Sequence, residues 1–191
     1  MSIPVASYGI TLSEIPGKTA LFLEIGNCLQ GCPGCHSPHL TEEATPGMKE
    51  YQVRQLILEQ LSHYPEINAV VFMGGTANKY CSLDEIRSTI AAIYDHCNIP
   101  CGLYSGRDED PEDFADWKGL YWLKTGSYKA DKGGLESPTT NQRFYEKQIV
   151  IETDNYGCYV GGRYEFINIT DKFRQKGKLS VKQVIPSANQ G

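Results

Sequence analysis

Cys28, Cys32 and Cys35 lie within the single short segment Cys28-Leu29-Gln30-Gly31-Cys32-Pro33-Gly34-Cys35, separated by three and then two residues. Thiolates at this spacing are metal ligands first, and soft sulfur donors suit iron-sulfur clusters, zinc or Cu(I) alike. Structural zinc closes a tetrahedron with four ligands, and an ordinary cubane takes four thiolates, one on each iron. Three cysteines are one short. A [4Fe-4S] cluster held by this loop alone leaves one iron without a protein ligand, and that iron can bind a substrate or cofactor directly. Gly31 and Gly34 permit the sharp turns that wrapping a small cluster requires, and Pro33 stiffens the bend.

Cys-x3-Cys-x2-Cys after an early strand resembles the signature of the radical S-adenosylmethionine (SAM) superfamily. Cys32-Pro33-Gly34-Cys35-His36 resembles more narrowly the activating proteins of the anaerobic (class III) ribonucleoside-triphosphate reductase, which carry glycine where many of the superfamily carry an aromatic residue. The resemblance implies a [4Fe-4S] cluster on Cys28, Cys32 and Cys35, with SAM chelated at the open iron through its amino and carboxylate groups. It assigns Gly34, Cys35 and His36 to the cofactor, His36 seating the adenine largely through its backbone. Gly74 and Gly75 correspond to the glycines that meet the SAM amino group, and Ser105, in Tyr104-Ser105-Gly106, to a contact with its ribose or carboxylate. Thr76 departs from the family, which has an acidic residue there. Lys124 to Arg143, from Lys124-Thr125-Gly126-Ser127-Tyr128 through Gly133 to Asn141-Gln142-Arg143, resembles a segment of the same activases.

The implied activity is reductive cleavage of SAM and use of the 5'-deoxyadenosyl radical to generate a glycyl radical on the large subunit of that reductase. Reduced flavodoxin or ferredoxin is the implied electron donor. Such chemistry needs no side-chain acid, base or nucleophile, so no catalytic residue is nominated beyond the cluster ligands. Two other classes compete with the activase: a small radical SAM enzyme acting on a metabolite, of the deazapurine synthase type, and an iron-sulfur electron-transfer module without radical chemistry. A zinc site or a set of buried thiols is the plainer reading of the cysteines.

Composition bounds what surrounds the loop. A chain of 191 residues makes one well-buried domain, read as a single radical SAM domain over residues 1–191, with a cluster loop at 26–39 and a hairpin and tail at about 148–191. The hydrophobic fraction of 40% and charged fraction of 21% are ordinary for a globular protein, and no apolar stretch is long enough to span a membrane. A formal charge of -5 removes the electrostatic basis for direct nucleic-acid binding. Seven cysteines, an odd number, without a signal peptide point to a reducing, cytoplasmic setting.

Alternating strand and helix patterns must position the loop. Residues 8–12 read as a short N-terminal strand. Thr19 to Ile25 is a strand with Ala20, Phe22 and Glu24 on one side and Leu21, Leu23 and Ile25 on the other. A helix follows over 50–64, with Tyr51, Val53, Leu56, Ile57, Gln60 and Leu61 on its inner face. Asn68 to Met73 is a buried strand ending at Gly74-Gly75, and Ser82 with Glu85 forms a capping box that opens a helix to about His96. Strands at 100–104 and 120–124 flank a short helix at 111–117. This alternation predicts parallel strands with helical crossovers. A closed eight-stranded barrel needs about 250 residues, so the expected fold is α/β, a partial, open β/α barrel of the radical SAM type. Strands at 148–153 and 164–169 add a C-terminal β-hairpin excursion, followed by a helical turn at 171–175 and a basic, then polar, tail from Gly177 expected to be mobile. His39 is read as a loop or partner-facing residue. Cys81, Cys97, Cys101 and Cys158 are read as free thiols, because Pro100 interrupts any helix that would align Cys97 with Cys101.

Overall fold

The computed structural model describes residues 2–41, 45–153, 155–156, 158–174 and 182–185. Eight strands form one open mixed sheet: β1 (Val5–Thr11), β2 (Ala20–Ile25), β3 (Ala69–Met73), β4 (Cys101–Tyr104), β5 (Leu120–Thr125), β6 (Arg143–Thr153), β7 (Tyr159–Asn168) and β8 (Lys182–Ile185). Their order is β7-β6-β5-β4-β3-β2-β1-β8. The central strands β2 to β5 are parallel, and every pairing outside them is antiparallel. Helix α1 (Glu50–His63) joins β2 to β3, and α2 (Leu83–Cys97) joins β3 to β4.

Local chemistry sets these boundaries. Ser82 accepts a hydrogen bond from the Glu85 amide at 3.2 Å and Glu85 accepts from the Ser82 amide at 2.7 Å, so the first turn of α2 satisfies donors that helix formation strands. Asn98 ends the helix in the left-handed region at φ 50°. Between β4 and β5, Asp110 caps the single 3-10 turn Pro111–Phe114, shorter than the helix read from the sequence. The chain there has only a few residues in which to return to the sheet.

Strand alternation divides the core between two faces. Leu21, Leu23, Ile25, Val70, Phe72 and Leu103 meet Val53 and Ile57 of α1 and Ile86, Ile90 and Ile93 of α2 on the helical face. Ala20, Phe22, Val71, Trp122 and Phe144 form a smaller cluster on the other. Burying each large aliphatic side chain contributes about 1.5–3 kcal/mol. On α1, Tyr51 does not join the inner face; it is 51% exposed, because Val53, Ile57 and Gln60 already complete the buried stripe.

The C-terminal excursion is longer than expected. β6 pairs with β5 through Arg143 to Glu146 and then runs on with β7, Gln148 opposite Glu165 and Ile149 opposite Tyr164. The helical turn is Thr170–Phe173, while Gln175 and the start of the tail at Gly177 lie outside the described residues. Within the tail, β8 pairs with β1, Gly9 opposite Val184, which corrects the expectation of a tail without structure: β1 would otherwise present an open edge.

Candidate functional site

The cysteine loop leaves the carboxyl end of β2. Asn27 makes the turn with φ 59°, a conformation that asparagine tolerates. Its Nδ2 donates to the Thr45 carbonyl at 3.1 Å. The loop is tied at both ends: the Cys28 amide donates to the Leu40 carbonyl at 2.7 Å, and the Leu29 amide to Ala77 at 2.8 Å. Asn78, on the loop after β3, donates to the Gly26 carbonyl at 2.6 Å.

Cys32-Pro33-Gly34-Cys35 is a β-turn closed by the Cys35 amide on the Cys32 carbonyl at 3.1 Å. Gly34 has φ +70°, the third-position conformation of a type II turn, and a side chain there would approach Ala130 to 3.2 Å. A positive φ here would strain any residue that carries a side chain. The amides of Gln30 and Ser37 point at the sulfurs of Cys28 and Cys35, at 3.5 and 3.4 Å. Hydrogen bonds to sulfur are among the features that tune a cluster bound through it.

All three thiols line one cavity of about 460 Å³ at the carboxyl ends of the parallel strands, the usual ligand position in open α/β sheets. Its floor is a row of register neighbours: Glu24 pairs with Met73, Met73 with Tyr104, and Tyr104 with Lys124. Three strand spacings separate the carboxylate from the ammonium, roughly 14 Å along the sheet. Glu24 and Lys124 are the only acidic and basic side chains on the described lining.

Burial pushes the Lys124 ammonium down to about 8, opposed by the negative charges of Glu14, Cys32, Cys35 and Glu136. Its Nζ stands 5.3 Å over the Tyr104 ring. Burial likewise drives the Tyr104 phenol well above its ordinary value, and its hydroxyl donates to the Glu14 carbonyl at 2.5 Å. At the opposite end Glu24, 5% exposed, accepts from Ser7 and lies 3.2 Å from His39 Nε2. His39 therefore braces the turn after the cysteines against β2.

The other residues nominated from the sequence divide. Gly34, Gly74 and Ser105 line the cavity; Gly75 and His36 do not. Gly75 has φ +98°, which by itself favours glycine, and a Cβ there would also meet the Cδ1 of Ile86 on α2 at 2.7 Å. His36 lies against Tyr128 with ring centroids 4.3 Å apart, joining the cysteine loop to the segment after β5. Thr76 and Ser105 are both buried and share a hydrogen bond of 3.0 Å, so the Thr76 hydroxyl is committed to Ser105.

The segment between β5 and β6 folds against the same loop. Gln142 Nε2 donates to the Gly126 carbonyl at 3.2 Å and Asn141 Nδ2 to the Ser127 carbonyl at 2.9 Å, closing its base. Asn141 and Gln142 thus hold the wall that carries Tyr128.

Among the described residues no three histidine, cysteine or acidic side chains are gathered as ligands to a single metal ion. Cubane thiolates bind different irons and have no need to converge on one point. The donor set fits such a cluster: three half-buried thiols on one loop, two of them receiving backbone amides, facing a cavity with space beside them.

A scan against protein-family models and searches of curated proteins and of solved structures found no match. The remaining thiols lie away from the cavity lining. Burial pushes Cys81 up to about 12, with Glu85 adding to it, and burial and the neighbouring Cys97 raise Cys101, so both persist as thiols. Cys97 is raised by burial against the pull of Arg54, and Cys158 is exposed in the hairpin. Among the described residues no helix is long and apolar enough to cross a membrane.

Glu24, Tyr104 and Lys124 line the cavity without having been nominated singly from the sequence; Tyr104 and Lys124 entered only as members of the segments Tyr104-Ser105-Gly106 and Lys124 to Arg143. The alternation in β2 was the available signal for Glu24, which shares its face with Ala20 and Phe22 yet carries charge. A lysine at the carboxyl end of the apolar strand Leu120–Thr125 was the signal for Lys124.

Proposed function

We propose that Cys28, Cys32 and Cys35 hold a [4Fe-4S] cluster beside bound SAM, and that the chain is a radical SAM activating enzyme for the large subunit of the anaerobic ribonucleoside-triphosphate reductase. Reduced flavodoxin or ferredoxin is the electron donor on this reading. The open sheet is then the partial β/α barrel of the radical SAM type. The observation that carries the proposal is the placement of a three-thiol loop, one ligand short, in the wall of a ligand-sized cavity at the carboxyl ends of β2 to β5.

When bound and reduced, such a cluster supplies the electron that splits a carbon-sulfur bond of SAM into methionine and the 5'-deoxyadenosyl radical, which takes a hydrogen atom from a glycine. The chain's own residues bind, orient and screen. Lys124 offers the one cationic side chain on the described cavity lining to the SAM carboxylate, and in low dielectric that pairing restores the charge that burial disfavours. Gly74 supplies a backbone carbonyl for an ammonium, and Ser105, held by Thr76, a hydroxyl. Met73 and Tyr104 give the floor between the charged ends a nonpolar surface that limits water. Leu29 is 61% exposed, and Gly31, Pro33, Gly34 and His36 also face solvent, so a peptide segment of another protein can reach the loop.

The test is anaerobic reconstitution with iron and sulfide, reduction with dithionite, and assay of 5'-deoxyadenosine with and without the reductase. The proposal expects SAM cleavage and a glycyl electron-spin signal on the reductase. Turnover of a metabolite without any protein partner would replace the activase, and absence of SAM cleavage at full cluster loading would leave an electron-transfer module.

A further inference from the structure

The hairpin of β6 and β7 carries a surface that the cavity does not use. β7 lies at the end of the sheet, and among the described residues no strand pairs with its outer side. It is ten residues long with no proline, and Ile149, Ile151 and Tyr164 are 63%, 65% and 55% exposed. Alternation puts these three on one face, since Ile149 stands opposite Tyr164 and Ile151 opposite Gly162, which has no side chain to cover it. The stripe extends outward from Phe166, which packs against the helical-face core. The other face of the same strand carries charge: Arg163 bonds Glu165 at 2.6 Å and Glu152 at 3.0 Å. Long, unblunted edge strands pair with other chains unless protected.

We propose that β7 pairs antiparallel with β7 of a second copy of this chain, in the register that places Tyr164 opposite Tyr164 of the other copy. The occupant follows from the sequence of the strand. In that register Arg163 of each copy stands directly opposite Glu165 of the other, so Arg163-Tyr164-Glu165 is its own electrostatic complement. The two apolar stripes then meet across the dyad, Tyr164 against Tyr164 with Ile149 and Ile151 flanking on each side. The contact is isologous and closed, and removes both open β7 edges at once. The tip of the hairpin runs past the amino ends of the parallel strands, so pairing leaves the cavity at their carboxyl ends accessible. The inference is independent of the chemistry assigned to the cysteines.

Sedimentation equilibrium of the full chain, prepared anaerobically over a concentration series, tests it with two charge reversals. Wild type is expected to dimerise. Arg163→Glu faces two carboxylates with two more, Glu165→Arg does the same with cations, and each weakens the dimer about tenfold or more. Mixing the two variants restores every opposite-charge pair and is expected to recover the wild-type affinity as a heterodimer. That recovery cannot come from misfolded chains, and the in-chain ion pairs lost are exposed and contribute little. A wild-type chain monomeric throughout, including one that engages only a different protein through this face, overturns the proposal. So does a dimer indifferent to both reversals, or a mixture no tighter than its components.

Discussion

On the helical face of the sheet, Ile57, Ile86, Ile90 and Ile93 are fully buried, and their neighbours in that core are predominantly apolar. At the carboxyl ends of β2 to β5 the same strands deliver a carboxylate, a phenol, an ammonium and three thiols to a single cavity, with Asn27, Gly34 and Gly74 in left-handed backbone. One region lowers free energy by excluding water. The other holds polar groups and unusual backbone at a cost, and that cost is supported by the first. Gly75 shows the junction, because it follows β3 next to the cavity-lining Gly74, holds a positive φ of +98°, and leaves room for Ile86 of α2.

If this division is real, substitutions on the two sides separate chemistry from stability. The largest effect belongs to Cys32→Ser: iron content after reconstitution and 5'-deoxyadenosine formation fall to background, while the thermal transition of the metal-free protein stays near wild type. Ile90→Ala does the reverse, lowering stability in denaturant titration by about 2–5 kcal/mol with cluster content per folded chain unchanged. Lys124→Met comes next, weakening SAM binding about tenfold to a hundredfold by titration calorimetry on reconstituted protein, through loss of a charge-assisted contact. Thr76→Val has the smallest effect, about 1 kcal/mol of stability from the lost bond to Ser105, and denaturant midpoints measure it. Loss of the cluster in Ile90→Ala, or of stability alone in Cys32→Ser, would erase the distinction.

The two regions also differ in how far the sequence disclosed them. Apolar runs and alternation located the four parallel strands and both helices, and the Ser82 and Glu85 pair marked where α2 begins, because these are local signals. The cysteine triplet was equally visible, since its chemistry lies in spacing. The cavity floor was not: Glu24, Met73, Tyr104 and Lys124 are scattered over a hundred residues and become neighbours only through strand register. The same holds for Thr76, whose partner Ser105 lies 29 residues away. The length of the β6 and β7 hairpin was hidden because Lys147, Arg163 and the paired glycines interrupt its alternation. Pairing of β8 with β1 was hidden because a short polar strand on an edge has little pattern of its own.

The central claim, that three thiols hold a cluster with one iron open to SAM, is tested most directly by electron-nuclear double resonance on the reduced, reconstituted protein with SAM labelled at its amino nitrogen. The account predicts a [4Fe-4S] complement of iron and sulfide and a nitrogen coupling that shows the amino group bound to iron. Zinc in the same loop, or a cluster whose spectrum is unaltered by SAM, would contradict it.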